Sequence, residues 1–220
     1  MQTALSLFDP HFLAFAGVAA LLVLSPGATM VVVADAAIEG GRRAALWTVA
    51  GIGTANGTMA LAAAFGLSAL VHRAPGLLRM ISIVGAAYLA WLGMRAVWRA
   101  LSTMPSWAGL KVRPPAGLKP RPGSILARFG RGLLTNYANP SVVIFYAVVV
   151  AQFITPREAF LPRYLLLGGT HVAMSVVWQG MIGISVGTFA ERMARPRIRR
   201  AMDLATGLAL LGFAIKIAVS

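Results

Sequence analysis

Four uncharged stretches of at least 25 residues constrain this chain more than any other feature of its sequence. They are residues 10–34, 44–71, 132–156 and 164–190. A membrane-spanning helix needs about 20 predominantly apolar residues, so each stretch is long enough to cross a bilayer. The chain is 58% hydrophobic and only 12% charged, whereas soluble domains have about 25% charged residues. These values predict an integral membrane protein.

Two weaker stretches bring the predicted number of spans to six. Residues 76–101 carry arginines near their ends, and residues 204–220 carry Lys216. Long basic side chains near a helix end can reach the interface, so we expect both stretches to span. Between the third and fourth spans, residues 102–127 contain five prolines and four basic residues, which predicts an aqueous linker.

The predicted fold is therefore an all-α, polytopic membrane bundle of two three-helix halves. The first half is residues 1–101, the basic, Pro-rich cytoplasmic linker is 102–127, and the second half is 128–220. An N-terminus outside the membrane gives the cytoplasmic side 15 basic residues and the other side 5, as the positive-inside rule favours. Both termini are then outside. Three spans per half give the halves inverted topology, which is frequent in secondary transporters.

A Pro26-Gly27 pair interrupts the first apolar stretch. A helix broken at membrane depth is tolerated only where protein or a water-filled cavity lines the break. The freed helix N-terminus can receive a carboxylate and the freed carbonyls an ammonium, which suits a zwitterionic amino acid. The alternative is a packing kink, because Pro and Gly are common in membrane helices.

A second interruption, Asn139-Pro140, lies near the start of the fourth stretch, three residues after Asn136. Asparagine side chains both donate and accept hydrogen bonds, so they can bridge an unwound turn or orient a polar ligand. The alternative is an interfacial helix start, because Arg128 and Arg131 lie just upstream. The substrate-binding candidates are Pro26, Gly27, Asn56, Asn136, Asn139 and Pro140.

Asn56 lies in the second stretch, on a face where Gly53 and Gly57 allow close helix approach. It can point into a cavity or form an interhelical hydrogen bond without a ligand. In the fifth span His171 and Gln179 are also polar. A lone buried histidine is more often satisfied by neighbours than used as a proton relay.

Asp35 is the acidic residue nearest to a span, eight positions after Gly27. Intramembrane carboxylates often serve ion pathways, which makes Asp35 the candidate for proton coupling. The alternative is that Asp35 and Glu39 lie at the cytoplasmic exit and balance Arg42 and Arg43.

Several classes of function are excluded or disfavoured by composition. The chain has no cysteine, so disulfides, thiolate metal sites and thiol redox chemistry are excluded. The three histidines are scattered and no P-loop is present, so we expect no enzyme, metal site or cofactor and no direct use of ATP. The net charge is +14, and the basic residues lie between the apolar stretches. This pattern predicts charged loops next to membrane lipid and no nucleic-acid site. Residues 1–10 lack the basic character of a cleaved signal peptide, so the first stretch is predicted to be retained.

A series of short motifs resembles the LysE/RhtB family of amino-acid exporters. In chain order they are SPGATM at 25–30, EGGRRAAL at 39–46, AGIG at 50–53, FGL at 65–67, GAAYLAWLG at 85–93, FGRGLLTN at 129–136, NP at 139–140 and AQF at 151–153. Two positions depart from the family pattern: its usual Pro-Gly-Pro is Pro26-Gly27-Ala28 here, and its often acidic position in the second span is Asn56. The second departure shifts the expected proton role to Asp35.

The resemblance implies export of amino acids or close derivatives across the bacterial inner membrane. It implies alternating access driven by the proton gradient, without a bound cofactor. The alternative class is a channel, or an assembly factor that binds lipid or a partner through its basic loops. Glycine-rich faces can pack within or between chains, so a homo-oligomer stays open.

Overall fold

The computed structural model describes residues 9–25, 27–73, 76–102, 123–154, 158–185 and 196–218. Over these residues it has no strand, as the all-α prediction requires. The described residues form seven α-helices: α1 (Pro10–Leu24), α2 (Ala28–Arg73), α3 (Gly76–Leu101), α4 (Ile125–Tyr137), α5 (Pro140–Ile144), α6 (Phe160–Ile184) and α7 (Pro196–Ala218).

Helix α2 is kinked at Gly40 and Gly41, whose backbone dihedrals are not helical. Gly41 has a φ of 71° and a ψ of −171°, a conformation that is essentially restricted to glycine. Apolar residues on both sides of this kink, among them Val33 and Val49, belong to one buried cluster that also includes Ile182 of α6. We call the segments before and after the kink the first arm, residues 28–39, and the second arm, residues 42–73.

Both predicted interruptions are present as helix breaks. Helix α1 ends at Leu24 and α2 begins at Ala28, with a bend of 49°; Pro26 itself lies outside the described residues. The second break bends the chain by 61° between α4 and α5. There Asn139 is the N-cap of α5 and accepts a hydrogen bond from Ser141 N at 3.1 Å. Pro140 follows at the first helical position, where its missing N–H costs no intrahelical bond.

Beyond α5 the chain does not stay α-helical. A π-helical turn, Phe145–Val149, is followed by a 3₁₀ turn, Val150–Phe153. In a π-turn the backbone hydrogen bonds span five residues instead of four. Within this turn the Tyr146 carbonyl accepts a hydrogen bond from Tyr164 Oη.

Length and apolar composition identify α6 as a helix able to cross a membrane. Two further spans are counted if each bent pair is one span: α1 with residues 28–69, and α4 with residues 140–153. Over the described residues this test thus gives one to three spans, and the arrangement of six stays a prediction. Helix α4 begins at Ile125, three residues before the predicted start of the second half, and residues 103–122 of the predicted linker lie outside the described residues.

Helix packing depends on glycines at points of close approach. Helix α2 packs mainly against α4 and α6, and α3 against α7. A Cβ on Gly93 of α3 would lie 2.9 Å from the Gly207 carbonyl oxygen of α7, and a Cβ on Gly207 would lie 2.9 Å from the Gly93 oxygen. These two helices therefore touch through their backbones, the arrangement that small residues permit in membrane bundles.

Candidate functional site

One face of α6 carries buried polar side chains at four-residue intervals. His171, Ser175 and Gln179 are each no more than 6% exposed. Residues four apart lie on the same face of a helix, so the three form a line. We call these three residues the polar stripe. Polar groups in an apolar bundle must find partners, and each member of the stripe contacts a different segment of the chain.

Ser175 holds the centre of the stripe to α2 and α4. Asn56 Nδ2 donates to Ser175 Oγ at 3.1 Å, and Asn136 Nδ2 donates to Asn56 Oδ1 at 2.7 Å. Asn136 Nδ2 also lies 3.4 Å from the Ile52 carbonyl oxygen. Both asparagines are almost fully buried, and Asn136 Oδ1 has no hydrogen-bond partner among the described residues. The structure thus brings together two of the predicted site residues and leaves one acceptor available.

Two glycines let the short asparagine side chains reach each other. A Cβ on Gly51 would lie 2.1 Å from the Phe129 carbonyl oxygen, and a Cβ on Gly132 would lie 2.1 Å from the Thr48 carbonyl oxygen. Any larger residue at either position would force α2 and α4 apart. The glycines therefore set the distance between the helices that carry Asn56 and Asn136.

Gln179 connects the stripe to the first helix break. Its Nε2 donates to Thr29 Oγ1 at 3.3 Å, and its Oε1 has no partner among the described residues. Thr29 belongs to the first turn of α2, where Val31 N donates to the Gly27 carbonyl at 3.2 Å. Gly27 lies in the break, as predicted. Its surroundings leave room for a Cβ, which would meet only Ser25 O at 3.9 Å.

His171, at the other end of the stripe, is satisfied by a tyrosine. Its Nδ1 lies 2.7 Å from Tyr146 Oη, and its ring centroid is 4.2 Å from that of Phe145. This environment matches the structural alternative for His171, a buried histidine paired with its neighbours.

Asn139 and Pro140 shape the second break and stand apart from the asparagine pair. The Asn139 side chain caps α5, and its backbone N–H donates to the Asn136 carbonyl at 3.1 Å. Asn139 and Pro140 thus lie just after Asn136 in the chain. They set the change of direction between α4 and α5 and make no buried side-chain contact with the asparagine pair.

Asp35 lies in an ion-pair network between the first arm of α2 and α4. Its Oδ2 is 3.1 Å from Arg131 Nη2, and Glu39 Oε1 is 3.3 Å from Arg131 Nη1. Glu39 also pairs with Arg128. The observed partners are thus the arginines of α4 and not Arg42 and Arg43, which the sequence alternative named. Two carboxylates face two guanidinium groups, so this network is neutral overall.

A second network holds the start of α1 to the start of α6. Arg163 Nη2 lies 2.8 Å from Asp9 Oδ2, and Arg163 Nε lies 3.0 Å from Glu158 Oε1. Asp9 also caps α1 by accepting from Phe12 N at 2.9 Å. Burial raises the pKa of Asp9, but the hydrogen bond from Phe12 N–H and the Arg163 guanidinium outweigh burial, so its pKa lies below the usual range.

The described residues contain no group of three or more side chains positioned to hold a metal ion. What the buried polar region offers instead is hydrogen bonding by neutral groups from four segments. Sequence reasoning missed Ser175, Thr29 and Tyr146 as members of this region. The spacing of His171, Ser175 and Gln179, at i, i+4 and i+8, is the signal that would have found Ser175.

Comparison with known proteins assigns this chain to a family of translocators. The model of the LysE type translocator family matches residues 20–220, and the chain belongs to that family. No solved structure matches the chain.

Among curated relatives, the homoserine/homoserine lactone efflux protein of Salmonella typhimurium is 29% identical over 85% of this chain and 85% of its own. The threonine efflux protein of Escherichia coli (strain K12) is 26% identical over 95% of this chain and 98% of its own. The leucine efflux protein of Klebsiella pneumoniae is 24% identical over 94% of both chains.

Proposed function

We propose that this protein exports amino acids or close derivatives from the bacterial cytoplasm across the inner membrane. Membership of the LysE type translocator family and the names of the efflux relatives support export. The observation that carries the proposal is the buried chain of neutral hydrogen bonds from Asn136 through Asn56 to Ser175. Polar groups buried in an apolar bundle are costly unless they are hydrogen-bonded, and in membrane segments they often mark a substrate pathway. Neutral donors and acceptors of this kind can bind a small zwitterion.

The proposed architecture is six spans in two inverted halves, residues 1–101 and 128–220, joined by a cytoplasmic linker at 102–127, with both termini outside. Helix packing supports it, because the second helix of one proposed half, the second arm of α2, packs on that of the other, α6, and the third, α3, packs on α7. Each half also begins with a broken helix. The reciprocal backbone contact of Gly93 and Gly207 is the relation expected of symmetry-related helices.

The proposed substrate site lies between the two breaks and includes Pro26, Gly27, Asn56, Asn136, Asn139 and Pro140. Asn56 and Asn136 supply its buried side chains, and Asn136 Oδ1 is an acceptor without a protein partner among the described residues. The first break supplies backbone groups: carbonyls where α1 ends and N–H groups where α2 begins.

Asp35 is the proposed coupling residue for proton-driven alternating access. Protonation of Asp35 would cancel its attraction for Arg131 and loosen the first arm of α2 from α4. Both side chains are more than a third exposed, and such pairs contribute about 0.2–1 kcal/mol. One proton can therefore shift this contact without a large energetic barrier. The Asp9–Arg163 network would close the opposite end in turn.

The test is transport by the purified full chain in proteoliposomes. We expect efflux against a concentration gradient, abolished by an uncoupler, and loss of efflux in Pro26→Leu, Gly27→Leu and Asn139→Leu. Gly66→Leu is the matched control, because Gly66 is exposed and a Cβ there would meet nothing within 4 Å.

Normal export by all three break variants would refute the broken-helix site. Movement of substrate only down its gradient, insensitive to the uncoupler, would favour the channel alternative. No movement of any amino acid would leave the assembly-factor alternative.

A further inference from the structure

The hydroxyl of Thr29 is bonded differently from the hydroxyls of Thr48, Thr54 and Thr170, three other threonines of the bundle. Thr48, Thr54 and Thr170 each donate to the carbonyl four residues back, at 2.8 to 3.0 Å. Thr29 instead accepts from Gln179 Nε2 at 3.3 Å, and the described residues provide no acceptor for its own proton. Its O–H group is therefore available to donate to a ligand.

Gln179 presents the complementary atom. It is 4% exposed, and while its Nε2 is bonded to Thr29, its Oε1 has no hydrogen-bond partner among the described residues. A buried acceptor without a partner is unfavourable, so its presence in a folded protein requires an explanation. An ammonium group, which has three donors and no acceptor, is the strongest partner for such an oxygen.

The backbone around Thr29 adds further donors. Helix α2 begins at Ala28, and the first N–H groups of a helix have no partner within it. Together with the positive end of the helix dipole, such N–H groups bind carboxylates. Donors for an anion and an acceptor for a cation thus lie side by side.

We propose that Thr29 and Gln179 recognise the head group common to all α-amino acids. The substrate carboxylate accepts from Thr29 O–H and from the first N–H groups of α2, while its ammonium donates to Gln179 Oε1. This inference rests on the proposed export function and assigns the head-group contacts to two side chains outside the asparagine pair. It places the substrate at the first break, one helical turn along α6 from Ser175.

The test is counterflow of radiolabelled L-threonine by wild-type protein in proteoliposomes, with three unlabelled competitors: L-threonine, its methyl ester and N-acetyl-L-threonine. The ester lacks the carboxylate and the acetyl compound lacks the ammonium. Because hydrogen bonds to charged groups are strong, we expect L-threonine to compete at least about tenfold better than either analogue.

The variants separate the two contacts. Thr29→Val should raise the KM for L-threonine about tenfold with little change in kcat, and should narrow the preference over the ester. Thr29→Ser keeps the hydroxyl, so its KM for L-threonine and its preference over the ester should equal those of the wild type. Gln179→Leu should narrow the preference over the acetyl compound. Thr170→Val and Gln152→Leu are matched controls, since each side chain bonds the backbone carbonyl four residues before it.

Three results are decisive. Unchanged KM and unchanged analogue preference in Thr29→Val and Gln179→Leu would overturn the head-group assignment while export stands. Equal competition by all three compounds on the wild type would overturn it without any variant. Absence of counterflow for L-threonine, L-homoserine and L-leucine in the wild type would instead refute the proposed function, and the assignment with it.

Discussion

Substitution of Gly51 by alanine tests whether the asparagine pair depends on the close approach of α2 and α4. The new Cβ would lie 2.1 Å from the Phe129 carbonyl oxygen, about 1.3 Å short of the 3.4 Å at which ordinary contact begins. The position of a Cβ is fixed by its backbone and the oxygen belongs to a helix backbone, so no side-chain rotation relieves the overlap. The helices must separate.

The size of the effect follows from that separation. If the helices move apart by about 1.3 Å, the 2.7 Å bond from Asn136 to Asn56 lengthens to about 4 Å and is lost. Overpacking costs about 1–3 kcal/mol, and a buried amide left without its bond costs about 1–3 kcal/mol more. We therefore expect the free energy of unfolding to fall by about 2–6 kcal/mol, or the melting temperature by about 4–24 °C.

The assay is thermal unfolding in detergent, combined with transport in proteoliposomes at equal protein density. Gly57→Ala is the matched control on the same helix, because a Cβ at Gly57 would meet nothing within 4 Å. Alanine is intrinsically the better helix former by about 1 kcal/mol, so the control should be as stable as the wild type or slightly more stable. Equal melting temperatures and equal transport for the two variants would refute the reasoning.

Three further outcomes are expected. Arg131→Asp should impair transport, because it removes the 3.1 Å ion pair with Asp35. Adding Asp35→Arg reverses the pair and should restore part of the transport rate, as a double-mutant cycle would measure. Because the pKa of Asp9 lies below its usual range, its ionised form stabilises the fold at neutral pH, and this contribution is lost as pH falls through the lowered pKa. The stability difference between wild type and Asp9→Asn should therefore shrink on acidification. A difference that stays constant with pH would contradict this. Gly93→Ala should lower the melting temperature, because its Cβ would lie 2.9 Å from the Gly207 carbonyl oxygen; an unchanged value would show that α3 and α7 can move apart freely.

Local chemistry explains which features could be predicted from the sequence. Proline interrupts a helix wherever it lies in the interior, so the break at Asn139-Pro140 follows from the sequence without any tertiary information. Glycine allows the positive φ at Gly41 in the same local way. The helical class follows equally directly from the long apolar stretches.

Partnerships between distant residues could not be predicted in this way. Asn56 and Asn136 were both recognised as candidates, but no local signal reports that 80 residues of chain bring their amides to 2.7 Å. The alternative to a coupling role for Asp35 names Arg42 and Arg43, its neighbours in sequence, whereas Asp35 pairs with Arg131 of α4. Such pairings depend on how helices cross, which depends here on glycine contacts such as Gly51 with the backbone of α4.

The π-helical turn Phe145–Val149 has a consequence for the length of related chains. Such a turn holds one residue more than an α-helix needs, so deleting a single residue there would yield a regular helix. The segment that follows would rotate by about 100°, moving Phe153 away from Phe15 and Phe213, whose ring centroids lie 5.3 and 4.7 Å from its own. A relative with one residue fewer at this point would keep the break at Asn139 and repack the far end of the span.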